Sequence, residues 1–180
     1  MIHVRRSLAR LAVAVATLAT GVPAFAGTVN TGAEAVVVRR LSFIQVDDLM
    51  FGNMLPGTTA GTVVVAPNGV RTKTGGPVLM GGTVQASSWA GWGTFNQNVQ
   101  IRMSANSYTL TRVGGTQTMT IDTFVIGSTP TAQLTTTAQT FRIAATNGIF
   151  QFPVGATLRV GANQMPGNYQ GTYTLVLNYQ

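Results

Sequence analysis

The sequence predicts an all-β fold, an antiparallel β-sandwich, and three observations carry that expectation. Glycine is abundant and only 8% of residues are charged, while threonine, valine, asparagine and glutamine recur throughout, a composition that suits strands joined by short turns. No sustained helical period follows the amino-terminal segment. Short runs in which apolar and polar residues alternate recur along the chain, with turn-forming clusters between them, as in a sandwich or barrel.

In chain order the candidate strands are residues 35–46, 61–66, 78–86, 98–104, 108–113, 118–126, 139–144, 156–160 and 171–179. A strand places alternate side chains on opposite faces. That puts Val63 with Val65 on one face, and likewise Val99, Ile101 and Met103, then Met119 and Ile121, then Leu158 and Val160. One such face per strand is what an immunoglobulin-like sandwich buries between its sheets. Between the runs lie Pro67-Asn68-Gly69, Thr74-Gly75-Gly76-Pro77, Gly114-Gly115, Thr146-Asn147-Gly148 and Met165-Pro166-Gly167, each offering the positive or fixed φ of a tight turn. Residues 128–138 read as one long surface connection. No linker or repeat divides the sandwich, which is expected over residues 36–180 as a single domain.

Residues 1–26 have the pattern of a secretory signal peptide. Arg5, Arg6 and Arg10 precede the apolar run Leu11–Leu18, and Ala24-Phe25-Ala26 supplies the small residues of a cleavage site. The apolar run is shorter than a membrane span needs, and no later segment approaches that length. The expected location is therefore outside the cytoplasm, in the periplasm, at the cell surface or in the medium, with Gly27 as the first residue and residues 27–35 as a flexible extension. His3 and three of the eleven basic residues would leave with the signal, and the basic residues that remain are scattered. Nothing in that distribution resembles a nucleic-acid footprint. The chain has no cysteine, so stability must come from the core without disulfides.

The same absences exclude most catalytic chemistry. Without histidine or cysteine after the signal, neither a Ser-His-Asp nor a Cys-His arrangement can form, and the usual zinc ligand sets are missing. The four carboxylates are Glu34, Asp47, Asp48 and Asp122. Asp48 facing Asp122 would be the only candidate glycosidase pair, but Asp47 and Asp48 fit a turn after the first strand and Asp122 a solvent face. Asp47-Asp48 followed by Leu-Met-Phe is a poor calcium loop. No enzyme, metal or cofactor is expected. Lys73, the sole lysine, reads as a loop charge rather than one partner of an isopeptide bond. Trp89 and Trp92, set among glycines in Ser87–Phe95, could stack on sugar rings or plug one end of the core.

The end of the chain carries the strongest functional signal. From Gly167 to Gln180 one parity holds Gly167, Tyr169, Gly171, Tyr173, Leu175, Leu177 and Tyr179, and the other holds Thr172, Thr174, Val176 and Asn178, which describes one long strand with an apolar face. This stretch resembles the terminal strand of chaperone-usher pilins, framed by Gly167 and by the penultimate Tyr179. The resemblance implies a groove at Gly167, Tyr173, Leu175, Leu177 and Tyr179, filled by a periplasmic chaperone and then by the amino-terminal strand of another subunit. The single disulfide that many of those pilins carry is absent here. The donor would be Val29, Ala33, Ala35 and Val37, although residues 36–46 also read as the first strand of a complete sandwich with a frayed start. A wider resemblance covers nearly all of the chain after the signal. Asp47–Gly52, Gly61–Val65 with Pro67-Asn68-Gly69, Phe152–Val160, Ala162–Gln164 and Gly167–Thr174 are similar to the bacterial exported family of domain of unknown function 4402, whose members look like fimbria-like β-sandwiches. Two functions are thus expected: a subunit of a fimbria-like surface fibre assembled by strand complementation, or a monomeric binding module for polysaccharide.

Overall fold

The computed structural model describes residues 35–128 and 131–180, so the expected signal peptide, Val29 and Ala33 lie outside the described residues. The chain divides into two units, Met1–Val36 and Val37–Gln180, and the strands described all belong to the second. In chain order they are β1 (Ser42–Asp47), β2 (Met50–Phe51), β3 (Met54–Leu55), β4 (Gly61–Val65), β5 (Arg71–Gly75), β6 (Val78–Leu79), β7 (Val84–Gln85) and β8 (Ser87–Trp92). Then follow β9 (Asn98–Met103), β10 (Ser107–Arg112), β11 (Thr118–Ile126), β12 (Ala132–Leu134), β13 (Gln139–Arg142), β14 (Ile149–Val160), β15 (Tyr169–Gln170) and β16 (Leu175–Tyr179). Among the described residues the fold is all-β, antiparallel and sandwich-like, and no helix is long and apolar enough to cross a membrane.

The larger sheet is organised around β14. Its first half pairs with β8, its second half with β4, and β11 runs along its other side. Beyond these, β1 pairs with β8, β5 with β4, β12 with the end of β11, and β10 with the start of β11, while β15 closes the β10 side. The inner face is apolar because of parity. Val63 and Val65, Ile121, Phe124 and Ile126, and Val154, Ala156, Leu158 and Val160 are all buried, while Thr62, Thr74, Thr120, Asp122 and Arg159 point away from them on the register given by the ladders. The smaller sheet, ordered β13-β9-β16, adds Val99, Ile101, Met103, Leu175 and Leu177 to the same core. Each buried branched or aromatic side chain contributes about 1.5–3 kcal/mol relative to leaving it in water, so the inward sets expected from the sequence, Met119 alone being half-buried, hold the sheets together.

Several elements differ from the expectation, and the surface connection expected at residues 128–138 contains strand β12. Residues 36–40 belong to no strand, and β1 begins only at Ser42. The run at 78–86 is two short strands, β6 and β7, parted by a turn that contains Gly82 at φ 92°. Residues 71–75, of which Thr74 and Gly75 were expected in a turn, form strand β5, and residues 87–92, unassigned from the sequence, form strand β8. The strand expected at 156–160 starts at Ile149 and passes through Pro153, whose carbonyl still accepts a bond from the Gly127 amide at 2.8 Å. Most consequential, the terminal stretch is not one strand: β15 belongs to the larger sheet and β16 to the smaller, with residues 171–174 crossing between them.

Candidate functional site

At the crossing the sandwich is open. A cleft of about 1240 Å³ lies between two walls, residues 48–54 after β1 and residues 167–173 before β16. Its floor is the inner face of the larger sheet, where Leu110, Met119, Ile121 and Leu158 line it. Ile121 and Leu158 are buried, whereas Leu110 and Met119 are only half-buried, so the core reaches the surface here. Both strands that flank the crossing are edges: among the described residues β15 pairs only with β10 and β16 only with β9. An edge leaves a row of backbone donors and acceptors for a further strand.

Local chemistry fixes the walls. Gly167 holds φ at 151°, and a Cβ there would lie 2.5 Å from Arg112 Nε, which itself donates to the Pro166 carbonyl at 2.8 Å. Only glycine meets both demands. The crossing is pinned from the other side by Tyr108. Its hydroxyl donates to the Thr174 carbonyl at 3.0 Å and accepts from the Ala105 amide at 3.0 Å. The facing wall is pinned by Arg71, whose guanidinium donates to the Phe51 carbonyl at 2.8 Å and the Asn53 carbonyl at 3.2 Å.

Tyr173 joins the cleft to the core. Its ring lies 5.2 Å from Phe124, 6.2 Å from Tyr108 and 6.3 Å from Trp89, centroid to centroid. Its hydroxyl is buried without a hydrogen bond of acceptable geometry. Burial raises the phenol above its ordinary value, the Ser87 hydroxyl and Trp89 indole near it oppose that shift, and Asp48 adds to it.

The sequence-predicted site residues are dispersed over three settings. Gly167 and Tyr173 line the cleft. Leu175 and Leu177 do not: both are buried in the chain's own core, because β16 has already moved to the smaller sheet. Tyr179 sits at the far end of β16, where its hydroxyl accepts from the Thr94 amide and donates to the Arg39 carbonyl, each at 2.8 Å. Of the donor residues within the description, Ala35 and Val37 are exposed, Val37 at 92%, together with Val36 at 71%. The two tryptophans separate. Trp89 is 9% exposed and packs on Phe43 at 5.6 Å. Trp92 is half-exposed, but Arg39 lies 5.3 Å over its ring, its indole donates to the Asn147 carbonyl at 3.1 Å, and Gly148 packs so close that a Cβ would touch the ring. Asp48 and Asp122 are not brought together: Asp48 lines the cleft, and Asp122 pairs with Arg159 at 2.9 Å on the outer face. Among the described residues no cluster of ligands could hold a metal. Sequence reasoning placed Met119 inward with Ile121 but missed the wall at residues 48–54, Leu110, and the fact that Leu110 and Met119 form an open floor, since periodicity reports which side chains face inward and not whether anything covers them.

A family model described as Domain of unknown function (DUF4402) matches residues 41–179, which takes in both walls and the floor of the cleft. No curated protein matches the chain.

Proposed function

The chain belongs to the DUF4402 family, and from that premise we propose that it is a non-enzymatic, exported structural subunit of a fimbria-like surface fibre, joined to its neighbours by strand complementation. The observation that carries this reading is the cleft, where half-buried Leu110 and Met119 lie between two walls beside unpaired strand edges. An extended segment with alternating side chains would cover the floor and pair with an edge in one step, which is how strand addition combines affinity with register. The donor is the extension that ends at the exposed valines 36–38, with Val29, Ala33, Ala35 and Val37 on one face. Such a run of branched residues in water favours a sheet.

The two ends of β1 supply the polarity. Arg39, just before β1, is clasped by Tyr179 and Thr94, whereas Asp48, just after it, lines the cleft. Six residues of strand separate them, about 20 Å. A donor rooted at one end and an acceptor at the other make a heterologous contact, which propagates as an open chain wherever the rotation between subunits does not close a ring. A periplasmic chaperone strand would guard the same cleft before assembly. The polysaccharide-binding alternative draws less support, because Trp89 is buried and the half-exposed Trp92 already carries Arg39 over its ring and spends its indole donor on Asn147.

The test compares residues 27–180 with residues 36–180 by size-exclusion chromatography with light scattering. The longer protein is expected to form concentration-dependent oligomers and the shorter one to remain monomeric. Two stable monomers would count against fibre assembly and favour a self-sufficient domain.

A further inference from the structure

A second cavity, of about 560 Å³, opens on the other side of the smaller sheet, between its β13 edge and the first half of β14. It shares no lining residue with the cleft. We propose that this slot binds an alkyl carboxylate, a fatty-acid-like anion whose chain enters between the sheets while Arg142 holds its head group.

The slot's wall is unusually apolar for an opening in this chain. Ile101, Ile143 and Phe152 are buried yet line it, and Phe150 stacks on Phe152 with ring centroids 6.2 Å apart and planes 12° from parallel. Gly91 on β8 makes this arrangement, since a Cβ there would collide with the Phe150 ring. The volume falls within the roughly 300–1,000 Å³ of small-molecule sites, which combine an apolar lining with few polar groups.

Arg142 supplies the polar group. It lines the slot from the exposed end of β13, and among the described residues no carboxylate pairs with it. Asp47 bonds Ser88, Asp48 bonds Gln45, and Asp122 pairs with Arg159, so the described acids are engaged elsewhere. Arg142 leaves β13 on the exposed face it shares with Thr140, at the strand edge that borders the slot, and an arginine with no carboxylate partner among the described residues beside a hydrocarbon-lined cavity is complementary to an anion with an apolar body.

Isothermal titration of dodecanoate and of dodecanol into residues 27–180 tests this assignment. Dodecanoate is expected to bind saturably at one site. Arg142→Gln should weaken dodecanoate about tenfold and leave dodecanol unchanged, and Ala132→Trp, which fills the slot, should abolish both. Should Ala132→Trp fail to fold, methyl NMR of the unsubstituted chain serves instead: Ile143 and Ile126 signals should shift with dodecanoate and the cleft's Ile121 should not. Absence of saturable binding, equal affinity in Arg142→Gln, or shifts confined to Ile121 would overturn the proposal while leaving fibre assembly untouched.

Discussion

Tyr173 shows what a single side chain does at the border of core and cleft. Its ring contributes aromatic packing against Phe124, Tyr108 and Trp89, while its buried hydroxyl has no hydrogen bond of acceptable geometry. A buried, unsatisfied hydroxyl returns little to stability, so Tyr173→Phe should change unfolding free energy by less than about 1 kcal/mol at neutral pH. The pH dependence has a definite sign. Burial raises the folded-state phenol above its unfolded value near 10, so its contribution is intact below that value and is lost as pH rises through the folded one. Melting temperature against pH should therefore fall on the alkaline side, and Tyr173→Phe should flatten that limb. An unchanged alkaline limb would show that the phenol is not the group responsible. The parity that puts Tyr173 inward was legible in the sequence; the missing partner for its hydroxyl was not, since that depends on Ser87 and Trp89 from a distant strand.

At the scale of elements, the terminal stretch explains both what the sequence conveyed and what it concealed. Alternation runs unbroken from Gly167 to Tyr179, and all of 173, 175, 177 and 179 do turn inward. The period carries no mark of the change of sheet at 171–174, because a strand that switches partners keeps its parity. The change is enforced from outside, by Tyr108 bonding the Thr174 carbonyl and by Gly171, whose Cβ would meet the Thr109 carbonyl. Tyr108→Phe should thus loosen the crossing and cost about 1–2 kcal/mol, with faster amide exchange at residues 171–175 than elsewhere in the smaller sheet. Uniform exchange would show that the crossing is held by packing alone. The strand β5 was hidden for a different reason: Arg71-Thr72-Lys73-Thr74 is polar on both faces, so no alternation existed to read. In β8 the small residues Ala90 and Gly91 masked a strand whose Gly91 makes room for Phe150. Pro153 lies inside β14 opposite Ser88 of β8, but its carbonyl faces the other side, where it accepts from the Gly127 amide, so its missing amide costs the β8 pairing no ladder bond.

At the scale of the molecule, the all-β antiparallel architecture followed from composition and turn spacing, and the inward residues named from parity form its core. The openings did not follow, because they arise where one sheet ends short of the other. The cleft beside the terminal crossing and the clasp of Tyr179 on Arg39 stand at opposite ends of β1, and the account of assembly rests on that separation. The chain has no cysteine, so engineered thiols report contacts without background. The direct measurement mixes a protein bearing Ala33→Cys with one bearing Leu110→Cys under mild oxidation. Disulfide formation requires Cα atoms within about 7 Å, so strand complementation predicts rapid mixed dimers for this pair and few for Ala33→Cys with Thr109→Cys, on the outward face of the same strand. Equal cross-linking of the two pairs, or none with Leu110→Cys, would contradict a donor seated in the cleft of a second copy.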